Sequence, residues 1–382
     1  MLKLSISDQS ERFRADFRGW LAQNPPPSTS DNSLQAFERV GREWQRTLAK
    51  SKWLGNHWPL EYGGRGLSLV EEAIVQEELV RVAAPQILGL FGITMVGPVL
   101  IAHGSDSQKS RFLSSILSGD EIWCQGFSEP GAGSDLAAVK ARAVPVEGGY
   151  SLTGQKIWTS FAHCADLCFV LCRTSDAAKK HEGLSYLLVQ LRSPGVTIRP
   201  LKQISGDSEF NEVFFDSVFV PHDNLVGGEG QGWKIAISTL MFERVVLTFS
   251  RQLQSEVALR ELIDKHGSSM SSSQKLDLAG CIVDACATRA LAYQHLMSYA
   301  DNKSSPGPEG SLDKLLWSES FQRLCSFAVD LLGPNAALGD ADPKVGGVVH
   351  RYLYSRGRTI AAGTSEIQRS IIAERILGLP RG

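Results

Sequence analysis

Three short segments hold residue types that could act together on one ligand. Residues 122–135 (IWCQGFSEPGAGSD) end a strand in a glycine-rich turn. Its small residues let backbone N–H groups and the hydroxyls of Ser128 and Ser134 come close to an anionic or flat ligand. Residues 154–160 (GQKIWTS) alternate so that the ring of Trp158 stands beside the hydroxyls of Thr159 and Ser160, a platform with donors suited to a planar heterocycle. Residues 363–369 (GTSEIQR) put Gly-Thr just before a helix start, where Thr364 or Ser365 can cap the helix and its dipole can favour a phosphate. Taken singly, each has a plain alternative: a tight turn, a core tryptophan, a capped helix.

Other patterns carry less chemistry. Cys164, Cys168 and Cys172 recur every four residues, but in a strand-like segment that spacing puts three small apolar side chains on one face, which predicts core packing rather than a metal site. Ser272-x-x-Lys275 matches a serine-nucleophile motif without its companion motifs. The eight histidines form no metal-binding spacing, and residues 228–232 (GEGQG) lack the preceding strand and glycine offset of a dinucleotide turn. No metal is expected.

The elements that must position these residues change texture twice along the chain. Up to about residue 120 the pattern is helical. Residues 31–50 keep apolar positions at Leu34, Phe37, Val40, Trp44 and Leu48 behind the cap candidate Ser30, and residues 25–30 (PPPSTS) separate them from a first short helix. From 122 to about 226 come short β-rich runs at 156–159, 167–172, 185–189, 196–198 and 212–220, which predict a compact antiparallel β domain. After Gly232 long helical patterns return, interrupted by loops at 267–273 and 304–311. The expected units are 1–121, 122–229 and 230–382, helical, β and helical.

The 39 Lys+Arg against 41 Asp+Glu give a net charge of −2 with no basic stripe, which excludes the electrostatic footprint of a nucleic-acid binder and leaves small molecules as partners. Seven scattered cysteines and a polar, charged N-terminal stretch point to a reducing cytoplasm. Residues 82–102 carry no charge and are long enough to span a bilayer. Pro85, Gly89, Gly92, Gly97 and Pro98 break the run, so a buried helix pair flanking a cavity is expected in place of a membrane span.

In this order, and together with 58–66 (WPLEYGGRG), 97–119, 211–216, 230–233 and the C-terminal AERILGL, the three segments resemble the acyl-CoA dehydrogenase family over nearly the whole chain. The resemblance implies an acyl-CoA dehydrogenase-like fold: an N-terminal α-helical domain, a central antiparallel β domain and a C-terminal four-helix bundle. It implies FAD between the last two, with an acyl-thioester against the flavin. By the same match Phe127 and Ser128 border the flavin, Ser128 donating to its pyrimidine edge. Trp158 packs on the ring system, Thr159 and Ser160 lie beside it with Ser160 donating to N5, Ser134 lies near the phosphate-bearing ligands, and Thr364 and Glu366 line the cofactor site.

Dehydrogenating a saturated thioester needs one desolvated base to take a weakly acidic α-proton while hydride leaves the β-carbon. Many family members carry that glutamate immediately before Gly-Thr, where this chain has Ala362. In the isovaleryl-CoA and long-chain branches it comes from the first helix of the C-terminal bundle, in a Glu-Arg pair, and this chain has Glu243-Arg244 within TLMFERVVL. The apolar neighbours Leu240, Met241, Val245 and Val246 predict a greasy wall that would raise the carboxyl above about 4.3, the alternative being an exposed helix carboxylate. Arg244 would orient ligand or base, and the backbone N–H of Ala362 would share the thioester oxygen with a flavin ribityl hydroxyl.

The implied function is FAD-dependent conversion of an acyl-CoA to a 2-enoyl-CoA, with electrons passed to an electron-transfer flavoprotein. An oxidase and a non-catalytic or co-catalytic partner subunit stand as alternatives. A base on the bundle helix frees space beside Ala362 and favours branched, long or ring-bearing acyl groups. In the family, an Arg with a nearby Phe-Gly reaches across a dimer interface to the neighbour's FAD. Here residues 262–276 have neither Arg nor Phe, and the usual Gln-x-x-Gly-Gly reads Asp330-Leu331-Leu332-Gly333-Pro334. A tetramer is expected, of one chain or mixed with a related chain; in a mixed one FAD would fill fewer sites than there are chains.

Overall fold

The computed structural model describes residues 6–28, 31, 33–302, 307–338 and 347–380, the side chains of 243–250 and 300–302 excepted. Five α-helices open the chain: α1 (Asp8–Gln23), α2 (Leu34–Lys50), α3 (Leu69–Arg81), α4 (Gly97–His103) and α5 (Asp106–Ser118). Serines start four of them. Ser7, Ser33, Ser68 and Ser105 each accept a backbone N–H of the first turn, and Glu71 and Gln108 complete two capping boxes. Helix α2 thus begins at Leu34 behind Ser33; the expected cap Ser30 lies outside the described residues.

The uncharged stretch at 82–102 is not a helix pair. Only its second half is helical, a π-turn over Gly92–Val96 running into α4, because Pro85 stops the first half. Trp58 donates its indole N–H to the Ile93 carbonyl there (3.2 Å). Among the described residues no helix is long and apolar enough to cross a membrane.

The middle of the chain is one eight-stranded sheet: β1 (Trp123–Gly126), β2 (Arg142–Val146), β3 (Gly149–Ser160), β4 (Leu167–Arg173), β5 (Leu184–Gln190), β6 (Val196–Leu201), β7 (Phe210–Pro221) and β8 (Leu225–Val226). The order is β6-β7-β3-β2-β4-β5-β8, with β1 beside β4. Most pairs are antiparallel; β1 runs parallel to β4, and β2 meets β4 in parallel at Arg142 and Arg173. β4 is buried on both faces and alternates between two cores: Leu167, Phe169 and Leu171 face one, Cys168, Val170 and Cys172 the other. Cys164 is buried too, but in a 3-10 turn before the strand, so only two of the three evenly spaced cysteines share a strand face.

Helices α6 (Gly232–His266), α7 (Ser272–Asn302), α8 (Gly310–Leu332), α9 (Asn335–Leu338), α10 (Val348–Arg358) and α11 (Ser365–Ile371) follow. The larger core joins all three parts: Trp44, Trp58 and Ile74 from the first helices, Phe169 and Tyr186 from the sheet, and Ile235, Leu253 and Tyr293 from α6 and α7. A buried ionic knot marks the same junction. Glu77 on α3 accepts from Arg14 of α1 (2.6 Å) and Tyr293 of α7 (2.7 Å) and pairs with Arg289. Burial pushes the Glu77 carboxyl up, but Arg289 and Arg14 outweigh it and hold it down to about 2.

Candidate active site

The glycine-rich turn after β1 is fastened to β3 from inside. Lys156 on β3 is wholly buried and donates its ammonium to the Phe127 carbonyl (3.0 Å) and to Glu129 Oε1 (2.8 Å). Glu129 also accepts the backbone N–H groups of Lys140 (2.6 Å) and Ala141 (2.8 Å), so its carboxylate gathers both ends of the loop. Burial pulls the Lys156 pKa below the usual lysine range, and Glu129 opposes that fall without cancelling it. A backbone bond from Ile157 N–H to the Ser128 carbonyl (2.9 Å) sets Ser128 directly beside the Trp158 segment.

At that point β3 carries one extra residue. Register with β7 shifts between Lys156 opposite Val213 and Thr159 opposite Asn211, and Trp158 in the bulge takes a left-handed φ of 58°. The bulge turns the tryptophan outward. It is 57% exposed, with only an edge-to-face contact to Phe210 (centroids 6.0 Å, 89°), so the core-tryptophan alternative does not hold. Thr159 beside it is fully buried, and its hydroxyl finds no partner among the described residues. Ser160 is half-buried at the end of the strand.

The other residues of the turn divide. The Phe127 ring lies in the core, edge-on to Phe169 and Tyr186 (5.8 and 6.0 Å), while Ser128 is half-buried and Ser134 exposed. Gly131 and Gly133 have negative φ and open space where a Cβ would stand. Neither a left-handed backbone nor packing therefore explains glycine at these positions, and the space beside both is open.

The second half of the site is the link between α10 and α11. Ala362 and Gly363 both have positive φ (56° and 91°), and Gln368, fully buried, donates to both carbonyls (2.9 and 3.2 Å). A Cβ on Gly363 would lie 2.5 Å from the Gln368 amide nitrogen. Thr364 is the N-cap of α11, its hydroxyl accepting Ile367 N–H (3.3 Å), and Glu366 is exposed on the rim of a groove of about 740 Å³ shared with Arg323, Arg356, Ser365 and Arg369. The groove does not include Trp158 or Ser128.

The two halves meet through the segment before β7. Tyr354 of α10 donates to Glu209 (3.0 Å), and His350 pairs with Asp207 (2.7 Å), placing α10 next to Phe210 and hence Trp158. Sequence reasoning passed over Glu129, Lys156 and Glu209 because their partners are distant in the chain; only the burial implied for a lysine within the alternating GQKIWTS could have signalled one of them. Glu243 and Arg244 lie within α6, their side chains outside the described residues, as are those of Val245 and Val246. Leu240 and Met241 are half-buried, with Leu240 against the main core.

Comparison with known proteins agrees across the whole chain. Family models match in chain order: acyl-CoA dehydrogenase, N-terminal domain, over 7–120; middle domain over 124–218; C-terminal domain over 230–377. The acyl-CoA dehydrogenase IpdE1 of Mycobacterium tuberculosis is 40% identical over 97% of this chain and 98% of its own length. Among solved structures, the ChsE4-ChsE5 complex from Mycobacterium tuberculosis aligns with a TM-score of 0.86 at 30% identity over 100% of both chains. The Tcur3481-Tcur3483 steroid ACAD aligns with a TM-score of 0.85 at 27% identity over 100% of both chains.

Proposed function

The chain belongs to the acyl-CoA dehydrogenase family of flavin-dependent oxidoreductases, and from that premise we propose how its own residues serve dehydrogenation of an acyl-CoA to a 2-enoyl-CoA. The observation that carries the reading is the outward-turned Trp158, held by a bulge beside Ser128 and next to the buried hydroxyl of Thr159, which has no partner among the described residues. With the open positions at Gly131 and Gly133, these are features the fold does not need for itself, and they fit a flat, phosphate-bearing cofactor. FAD, once bound, would supply the two-electron acceptor for the β-hydrogen.

Ser128, Trp158, Thr159 and Ser160 would hold its ring system, Phe127 bordering it through backbone, with Thr364 and Glu366 on the side of the 230–382 unit and Ser134 near the phosphates. Glu243 takes the α-proton, its apolar neighbours excluding water and strengthening it as a base. Arg244 orients it. The N–H of Ala362 donates to the thioester oxygen as charge develops there, a role that survives replacement of the family's glutamate at this position by alanine. Electrons would pass to an electron-transfer flavoprotein, in the cytoplasm. Slow reoxidation in air after anaerobic bleaching would separate this dehydrogenase from an oxidase.

Glu243→Gln tests the base. The holoprotein should stay yellow and folded, while anaerobic flavin reduction by acyl-CoA falls below a few per cent of wild type. Faster reduction would remove Glu243 from the reaction.

The missing clamp in 262–276 favours one elaboration. Solved relatives named as the ChsE4-ChsE5 complex and the Tcur3481-Tcur3483 steroid ACAD support pairing with a related chain in a mixed tetramer, and the second name supports ring-bearing acyl groups.

A further inference from the structure

Arg358 closes α10 four residues before Ala362, and nothing in the mechanism above uses it. Its guanidinium stacks 3.9 Å over the ring of Tyr354, one turn back. Among the described residues it makes no hydrogen bond, and no carboxylate lies within the 4.0 Å of an ion pair. The two acids that face it are engaged elsewhere: both oxygens of Glu209 take the Tyr354 hydroxyl (3.0 and 3.2 Å), and Asp207 takes His350 (2.7 Å) and Ser205 (2.7 Å). A second cation, Arg251 of α6, is near enough to act on its charge and is itself stacked on Trp317 at 5.5 Å. Burial and then Arg251 pull the Arg358 pKa far below the usual arginine range, to about 9, with Glu209 and Asp207 opposing. A guanidinium stacked on Tyr354 with no acceptor among the described residues, within the influence of a second cation, describes a place that an anionic oxygen group would complete.

The position says which part of the ligand arrives there. Arg358 stacks on Tyr354, and Tyr354, Glu209, Phe210 and Trp158 form one connected path that links it to the tryptophan platform. Arg251 is eight residues beyond Glu243 on the same helix, roughly 12 Å along its axis. That span is comparable to the reach of an extended acyl chain from its α-carbon.

We propose that Arg358, with Arg251 beside it, is a specificity-determining residue that binds an anionic oxygen group, a carboxylate above all, at the distal end of the acyl chain. The inference rests on the acyl-CoA reading above. Its probes are dodecanedioyl-CoA and dodecanoyl-CoA, of equal length and differing in the terminal carboxylate, titrated into the holoprotein by calorimetry and by the change in flavin absorbance. Wild type should prefer the dicarboxylic thioester by at least tenfold. In Arg358→Gln the preference should collapse to near unity, and in Arg358→Lys, which keeps the charge and the stack on Tyr354, part of it should remain.

FAD content per chain distinguishes the other source of anionic oxygen. If Arg358→Gln sheds FAD, the guanidinium grips the cofactor's phosphates and the acyl assignment is overturned. Equal loss of affinity for both thioesters makes Arg358 a packing residue and overturns it too. If wild type binds neither thioester, the acyl-CoA reading itself fails and takes this inference with it; if it binds both alike, only this inference fails.

Discussion

Trp158 occupies a conformation that few residues with a side chain adopt, and holding a large ring at positive φ costs on the order of 1 kcal/mol or more. An exposed ring does not recover that cost by packing, because its one aromatic contact among the described residues is an edge to Phe210. A ligand face would recover it. Trp158→Ala should therefore leave the thermal midpoint of the apoprotein nearly unchanged and weaken FAD binding by about 1 kcal/mol, roughly fivefold. Equilibrium dialysis measures the second quantity, and undiminished FAD affinity would end the platform reading.

At the scale of elements, the joint between the turn at 127–135 and β3 depends on a charge pair that neither segment could bury alone. Removing Lys156 leaves Glu129 buried with its two backbone donors but no counter-charge, a change that typically costs about 3–5 kcal/mol. Lys156→Met should lower the unfolding midpoint markedly, whereas Lys156→Met combined with Glu129→Gln should be less damaged than the two single changes added together. Strict additivity in thermal melts would show that the pair is not coupled. FAD retention should fall in the single variant as well, because Ser128 and the Ile157 N–H lose their fixed register.

For the whole molecule, Glu77 joins α1, α3 and α7, and its titration is felt globally. Its carboxyl sits near 2 in the folded state against 4.5 in the open chain, so its stabilisation is complete above about pH 5 and is lost as pH falls toward 2. The shift corresponds to roughly 3 kcal/mol. Glu77→Gln should be less stable at neutral pH and should lose less than wild type between pH 5 and 3, read from denaturant midpoints; parallel acid limbs would refute the linkage. Assembly belongs to this scale too. Purified alone, the chain should carry clearly less than one tightly held FAD, because serines and Lys265 or Lys275 replace the clamp at 262–276. One FAD per chain in a homo-oligomer would exclude the mixed tetramer.

The family and the helical, β, helical order were legible in the sequence, because they rest on local signals: apolar periodicity, β-rich runs and the short motifs around Ser128, Trp158 and Thr364. β4 and β5 were legible as well, since strands buried on both faces leave continuous apolar runs. β1 was legible too, as the strand that runs into the glycine-rich turn, but β2 was not, for it is mostly exposed and holds Pro145. Tertiary structure alone decided the rest. Whether Trp158 faces core or solvent turns on a one-residue bulge, and a single extra residue reverses the side of a strand without altering its composition. The partnership of Lys156 with Glu129 joins residues 27 apart, and that of Tyr354 with Glu209 residues 145 apart. Arg358 reads in sequence as a helix-terminal cation; it stands apart only once the fold has brought Arg251 near it and given the neighbouring acids to other donors.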